Sequence, residues 1–455
     1  MGGRIIMKTV IKAGLVVNHN KLLKDVNILV EDEKIKNITK ANLDSVADKI
    51  IDARDLWVFP GGIDSHSHLN DPGLTESEDY YTGTCSAAAG GITTVLDHPL
   101  TVPITADRES FLEKKAEGSK KAVVDFALWA AALPDNMSKL IELAKLGAIA
   151  FKSFLSYSTE IPSVNLGQLW DVMNIVNTTG LPLGVHCENQ EIIDVMEKPF
   201  RAKETNEYVD FNHGRAPLAE MVACLEAIAI AKSTGARLHI VHTSIPEVVK
   251  EVWRANQEGY NITVETCPHY LTLTIDDINR LGPFGICAPP IRTRESVEGM
   301  WDMIQEGKVD MIGSDHATYT FEEKEAPKSI WDIPLGLTSE QTMLPLIFSE
   351  GVAKRKLSPK LFAALTSANA AKTFGIYPRK GYIGIESDAD LCFIDPKGQW
   401  EIKTDDLFYK MKWSPYAGMK LSGRIVHTMV RGYLVYSEGK ILSEPGRGKF
   451  IRPLI

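Results

Sequence analysis

The sequence predicts an α/β protein: a closed TIM-like (β/α)8 barrel carrying a small β-sandwich domain built from both chain ends. Three observations lead there. The chain has 455 residues, enough for a barrel of about 250 residues or more plus an appended module. Its middle alternates short apolar runs with helical stretches, the βαβα texture of a parallel sheet. Its two ends share a different texture, in which β-rich runs are broken by polar turns.

From Thr9 to about Leu56 the chain reads as short strands in an antiparallel sheet: TVIKAGLVV, the polar turn NHNK, then DVNILVEDEKIKNI. The same texture returns after Gly381 in ADLCFID, QWEIK and RIVHTMVRGYLVYSEGKI. Residues 1–58 and 381–455 are therefore expected to form one discontinuous β-domain, and residues 59–380 the barrel. Within that span eight runs stand out in order: WVFPGGIDSH, GITTVLDHP, AVVDFALWAA, AIAFKSFLS, LPLGVHCE, ARLHIVHTS, NITVETCPHY and DMIGSDHA. Helical stretches such as SKLIELAKLG and PLAEMVACLEAIAIAKSTG separate them. Eight strands with helical connections close a barrel, and such barrels place their active sites at the C-terminal strand ends.

An apolar fraction of 44% and a charged fraction of 24% are ordinary globular values, excluding disordered and fibrous classes. The net charge of −9 and pI near 5.7, with no dense Lys/Arg run, argue against a nucleic-acid partner. The N-terminal MGGRIIMKTVIKAGLVV alternates apolar and polar residues and lacks the continuous apolar stretch of a signal peptide or membrane span. No membrane partner is expected, and the cytoplasm is the expected location. Cys85, Cys187, Cys224, Cys267, Cys287 and Cys392 show no CxxC spacing, so they are expected to be reduced and mostly buried.

Polar residues gather at the C-terminal ends of the eight runs, where a purely structural core continues with Val, Ile or Leu. Run one ends in His66-Ser67-His68, and residues at i and i+2 on a strand share a face, so both imidazoles can reach one cation. Run five ends in His186, run six in His242 and run eight in Asp315, while run four carries Lys152 in the apolar string IAFKSFL. A lone histidine such as His186 is more often a satisfied buried residue than a ligand. Coincidence shifts the reading, because four imidazoles and a carboxylate from four strands fall at one rim. Unpartnered buried polar groups cost roughly 1–3 kcal/mol each, and a bound metal removes that cost.

Lys152 is a sharper anomaly. An ammonium between Phe151 and Phe154 is costly to bury and tends to lose its proton. A neutral amine reacts with carbon dioxide to a carbamate, an anionic carboxylate able to bridge two cations. The alternative is a lysine paired with Asp315 or another acid.

At these residues the chain resembles the cyclic amidohydrolases of the amidohydrolase superfamily: allantoinase, hydantoinase, dihydropyrimidinase and dihydroorotase. The shared strings are PGGIDSHSHLNDPG (60–73), AAAGGITTVLDHP (87–99), GAIAFKSFLS (147–156), VHCEN (185–189), HIVHTS (239–244), VETCPHYL (264–271), CAPPIR (287–292) and GSDHA (313–317). The resemblance implies that His66, His68 and Asp315 hold the more buried of two metals and that His186 and His242 hold the second. Carboxylated Lys152 and a hydroxide would bridge them. Zinc ranks first among the divalent cations, although an N/O site also accepts manganese, iron or cobalt. The implied reaction is hydrolysis of a ring amide C–N bond in a cyclic ureide of the hydantoin or allantoin type, with the hydroxide attacking and Asp315 passing its proton to the departing ring nitrogen.

The resemblance also offers substrate contacts. Tyr157, five residues after Lys152, matches a tyrosine that binds substrate in hydantoinases and dihydropyrimidinases, or else packs at the strand end. Backbone groups near Ala288 and the segment IPLGLT (333–338) flank the ring, with Leu335 where D-type hydantoinases tend to have Asn. Asn70 is counted as a contact too; it stands where dihydroorotases carry a carboxylate-gripping Arg, so dihydroorotase ranks low. NDPG, ETCPHYL, CAPPIR and SPYAG are allantoinase-like, whereas HPLTVP, EKKAEG, VDFALW, EEKEAP and TMVRG are like L-selective hydantoinases. His98, His213 and His269 fall outside the ligand set, and Asp64 and His316 are candidates to orient a ligand imidazole. Cys187 and Cys267 lack a dedicated base for nucleophilic work. The family's dimers and tetramers imply a homo-oligomer. Dihydropyrimidinase activity, a non-catalytic scaffold and a mononuclear deaminase are the competing readings.

Overall fold

A computed structural model describes residues 7–158, 161–204 and 206–454. Two sheets organise the chain. One has eight strands drawn from both ends: Thr9–Val17, Leu22–Glu31, Lys34–Thr39 and Lys49–Pro60 from the N-terminal side, and Leu391–Glu401, Lys420–Val430, Tyr433–Ser437 and Lys440–Ile441 from the C-terminal side. It closes over its own apolar core, in which Ile11, Val26 and Ile28 meet Leu391, Phe393 and Met429. The antiparallel expectation for residues 9–56 needs one correction. Thr9–Val17 pairs antiparallel with Leu22–Glu31 but parallel with Lys49–Pro60. The chain crosses from the far edge back to the other side of its first strand, because Lys49–Pro60 is the strand that also pairs with Leu391–Glu401 and joins the two halves.

The second sheet is the barrel. Its strands are β1 (Gly62–His68), β2 (Ile92–Asp97), β3 (Asp125–Ala131), β4 (Ala150–Phe154), β5 (Leu183–His186), β6 (Leu238–Ile240), β7 (Ile262–Thr266), β8 (Met311–Ile312) and β9 (His316–Ala317). Neighbours pair in parallel and in order. The eighth run is split: β8 pairs with β7, and β9 pairs with β1, which closes the circle. The three residues between them, Gly313-Ser314-Asp315, bridge the seam, with Gly313 N–H donating to Thr266 O at 3.1 Å and Asp315 N–H to His66 O at 2.8 Å.

Run one is also split. Its first half, Trp57–Pro60, ends the last N-terminal strand of the outer sheet, and Gly61 passes the chain into β1. A Cβ on Gly61 would lie 2.1 Å from Thr93 Oγ1, so only glycine permits that passage. Helices wrap the barrel. Leu166–Asn177 is capped by Asn165, whose side chain accepts from Gln168 N, and Pro217–Thr234 starts on proline and ends at Gly235 with φ of 70°. Both bury one face in the core against the strands. No helix among the described residues is long and apolar enough to cross a membrane. All six cysteines are free and buried.

Candidate metal centre

The pleat of β1 turns His66 and His68 to one side, with ring centroids 5.3 Å apart. Opposite them stands Asp315, whose Oδ1 is 3.2 Å from His66 Nε2 and 3.5 Å from His68 Nε2. The backbone at Asp315 is left-handed, with φ of 47°, because the chain turns there between β8 and β9. His242, two residues past β6, is left-handed too, with φ of 38°. Non-glycine residues hold that conformation only where their surroundings impose it, commonly at functional sites.

His186 ends β5, and its Nδ1 lies 3.0 Å from His242 Nε2. The two groups adjoin, since the rings of His66 and His242 are 5.2 Å apart. Lys152 on β4 interacts electrostatically with His66, His186, His242 and Asp315. Its Nζ is buried with no hydrogen-bond partner among the described residues. Burial pulls its pKa down to about 8.

These groups fit cations. Two donors on one zinc-like ion at about 2.0–2.1 Å stand about 3–3.5 Å apart, the spacing seen within each group. Burial also holds His66 down to about 4, and holds His186 and His242 below the ordinary imidazole value, so all three offer neutral lone pairs. Burial on its own raises the Asp315 carboxyl, but His66, His68 and His242 outweigh it and keep Asp315 ionised. The orphaned Lys152 amine then marks a place where an added anionic group has cations to meet.

Two buried carboxylates stand behind the imidazoles. Glu265 Oε1 accepts from His66 Nδ1 at 2.8 Å, and Glu188 Oε2 faces His186 Nε2 at 2.8 Å. Each fixes the tautomer that frees the other ring nitrogen for a metal. Neither was singled out from sequence. Glu265 shows the same signal as Lys152, a charge inside an apolar strand run, and Glu188 lies two residues from His186. The orienting role expected of Asp64 is corrected: its Oδ1 accepts the backbone N–H groups of His66 and Ser314, at 3.1 and 2.8 Å, and no imidazole among the described residues. His316 faces Glu78 at 3.4 Å and accepts from Ser339 N, away from the two groups.

His98 stacks on His66 at 3.6 Å and 2°, and neither His98 ring nitrogen has a hydrogen-bond partner among the described residues. Lone pairs in parallel planes cannot meet at one cation, so His98 does not share a metal with His66. His269 is buried and touches Tyr270, and His213 stacks on Phe200. The Cys267 thiol, close to Asp315, is pushed well up by burial, which keeps it a poor ligand.

The expected substrate contacts are less gathered. Asn70 is buried and left-handed, and its Nδ2 donates to Ser77 Oγ at 2.8 Å and Thr318 O at 3.1 Å, tying the loop after β1 to the segment after β9. Tyr157 is 67% exposed, and its backbone N–H donates to Gln190 Oε1 at 2.7 Å. Ala288 and Leu335 are half-buried. Gly336 N–H donates to Ile286 O at 3.1 Å and Leu337 O accepts from Ala317 N at 2.9 Å, which holds the Ala288 and 333–338 segments at the rim near β9.

Known proteins resemble this chain over nearly its whole length. A model of the amidohydrolase family matches residues 57–435. The chain belongs to that family. It is 37% identical to an allantoinase of Rubrobacter xylanophilus, covering 98% of this chain and 97% of the relative. It is 34% identical to an L-hydantoinase of Paenarthrobacter aurescens, covering 94% of each. Among solved structures, the L-hydantoinase of Arthrobacter aurescens superposes with a TM-score of 0.95 at 33% identity, over 98% of this chain and 99% of that one. The dihydropyrimidinase of Brevibacillus agri gives 0.92 at 28% identity, with the same coverage. This amidohydrolase is thus about equally similar to relatives bearing two different substrate names.

Proposed function

We propose that this chain hydrolyses a ring amide C–N bond in a cyclic ureide of the hydantoin or allantoin type. The observation that carries the reading is the convergence of His66, His68 and Asp315 beside His186 and His242, around a buried Lys152 whose Nζ has no hydrogen-bond partner among the described residues. Relatives named allantoinase and L-hydantoinase over nearly the whole length support the substrate class.

His66, His68 and Asp315 would hold one divalent cation, and His186 and His242 the other. Lys152, once its neutral amine has added carbon dioxide and lost a proton, would supply them with an anionic ligand. Bound cations, zinc first among them, polarise the scissile carbonyl and acidify water at neutral pH. Asp315, kept ionised by its imidazole neighbours, accepts a proton from the attacking water and returns it to the departing ring nitrogen. The ring needs no charged partner from Asn70, whose amide is engaged by the loop. That fits an uncharged ureide better than a carboxylated ring.

A turnover screen with allantoin, hydantoin, 5-substituted hydantoins, dihydrouracil and dihydroorotate tests this. Allantoin or a 5-substituted hydantoin is expected to turn over, to be lost on chelation, and to return with zinc plus bicarbonate. Cleavage of dihydroorotate alone would overturn the substrate class. The working form carried by this reading is a homodimer or homotetramer in the cytoplasm, and light scattering of the purified protein tests the oligomeric state.

A further inference from the structure

The imidazoles of His66 and His186 are backed by buried carboxylates through hydrogen bonds of equal length, 2.8 Å to Glu265 and 2.8 Å to Glu188. What differs is the company of each carboxylate. Glu188 is gripped at both oxygens by Arg215, with Nη2 at 2.6 Å from Oε2 and Nε at 3.2 Å from Oε1, and both residues are buried. The guanidinium therefore already balances its charge.

Glu265 has no such partner. Its oxygens meet the Ser65 hydroxyl, the His242 backbone N–H at 3.3 Å and the His239 Nε2 at 3.6 Å, and His239 in turn engages Thr263 Oγ1 through Nδ1 at 2.8 Å. Among the described residues no lysine or arginine forms an ion pair with it. Besides the imidazoles of His66 and His239, it interacts electrostatically with Lys152, whose positive charge vanishes on carbamate formation. Gly313 leaves space for this carboxylate: a Cβ there would lie 2.7 Å from Glu265 Oε2 and 2.9 Å from His66 Cβ.

A carboxylate drawing on the far N–H of a ligand imidazole makes the near nitrogen a stronger donor. An anion shared with a guanidinium draws less. We infer that Glu265 and the Glu188–Arg215 pair are positioning residues that make the two cation sites unequal, the His66 site retaining its metal and the His186 site exchanging. This rests on the two-metal reading above and concerns what that reading leaves open, the ranking of the two sites and the residues that set it.

The zinc-loaded enzyme, challenged with dipicolinate and assayed for released metal over time, tests the ranking. One equivalent is expected to leave quickly and the second at least about tenfold more slowly. E265Q keeps the shape of the side chain and removes its charge. It should speed the slow phase by about 10–100-fold, leave the fast phase unchanged, and shift the visible band of the retained ion in the cobalt-substituted protein. R215Q should slow the fast phase. If R215Q does not fold, the two phases of the native enzyme and the response of E265Q still decide. Equal release rates for the two equivalents, or an E265Q slow phase and cobalt band identical to those of the native enzyme, would overturn the inference. Failure to load two equivalents at all overturns the two-metal reading instead, so the two failures are distinguishable.

Discussion

Burial sets the chemistry of single side chains here, and Lys152 shows it most directly. With its pKa pulled down to about 8, the neutral amine that reacts with carbon dioxide grows from a minor form at pH 7 to the major one above pH 8. At fixed dissolved carbon dioxide, reactivation of metal-free enzyme by zinc is expected to quicken as pH rises through about 8 and to level off beyond it. K152M should abolish both the carbon dioxide dependence and tight loading of two metals. A pH-independent reactivation rate would count against carbamate formation. Asp315 has the opposite problem, remaining charged despite burial because imidazoles surround it. D315N should lower kcat by about 10^2–10^4-fold, as expected for a group that moves the reacting proton, and loosen the His66 site as well. Away from the site, burial raises the Asp310 carboxyl to about 6 while its Oδ2 accepts from Val264 N at 2.8 Å. A folded-state pKa above the unfolded value of 3.8 means that ionised Asp310 opposes folding fully above pH 6 and not at all below about pH 4. D310N keeps an acceptor for Val264 and should raise Tm by ~1–3 °C at pH 8. The gain should be gone near pH 4.

At the scale of strands and loops, the parts of the sequence that could be read were those with a period. Eight apolar runs gave eight barrel positions, and His66, His68, His186, His242 and Asp315 were visible because each interrupts a run at its C-terminal end. Run boundaries were not legible. WVFPGGIDSH reads as one strand, yet Trp57–Pro60 and Gly62–His68 belong to different sheets, since apolar residues look alike whichever sheet buries them. DMIGSDHA likewise hides the seam that β8 and β9 share. Glu265 escaped because its partner His66 lies 199 residues away, and Glu188, although two residues from His186, escaped because its other partner, Arg215, is 27 residues off. Gly61 makes the hidden boundary testable. G61A drives a methyl into Thr93 and should cost about 1–3 kcal/mol, read from the denaturant midpoint. Because Thr93 Cγ2 and Oγ1 make the nearest clashes, T93A in the same chain should recover part of that loss. Additive losses would show that the crowding lies elsewhere.

For the whole molecule, the question is what makes a barrel depend on a sheet built from distant chain ends. Asp125 opens β3 at the end of the barrel away from the metal ligands and is wholly buried. It is bonded by Lys380, by Arg431 from the outer sheet and by Lys449 N–H at 2.8 Å. Lys380 also reaches Asp390 at 2.6 Å and Asp388 at 3.0 Å. The three aspartates bring ligand oxygens close enough for a cation, but the Lys380 ammonium already stands among them. Burial alone lowers the pKa of Lys380, yet the carboxylates outweigh it and keep Lys380 charged. Removing the central cation of a buried ion cluster leaves charge uncompensated, at a cost of about 3–5 kcal/mol. K380M is therefore expected to lower the unfolding midpoint of barrel and outer sheet together. The site lies at the other end of β3, about 20 Å away by strand rise, so metal stoichiometry and KM of the folded fraction should stay unchanged. A K380M protein whose barrel unfolds at the native midpoint would mean that the outer sheet is an appendage, and that the barrel's stability does not pass through Asp125.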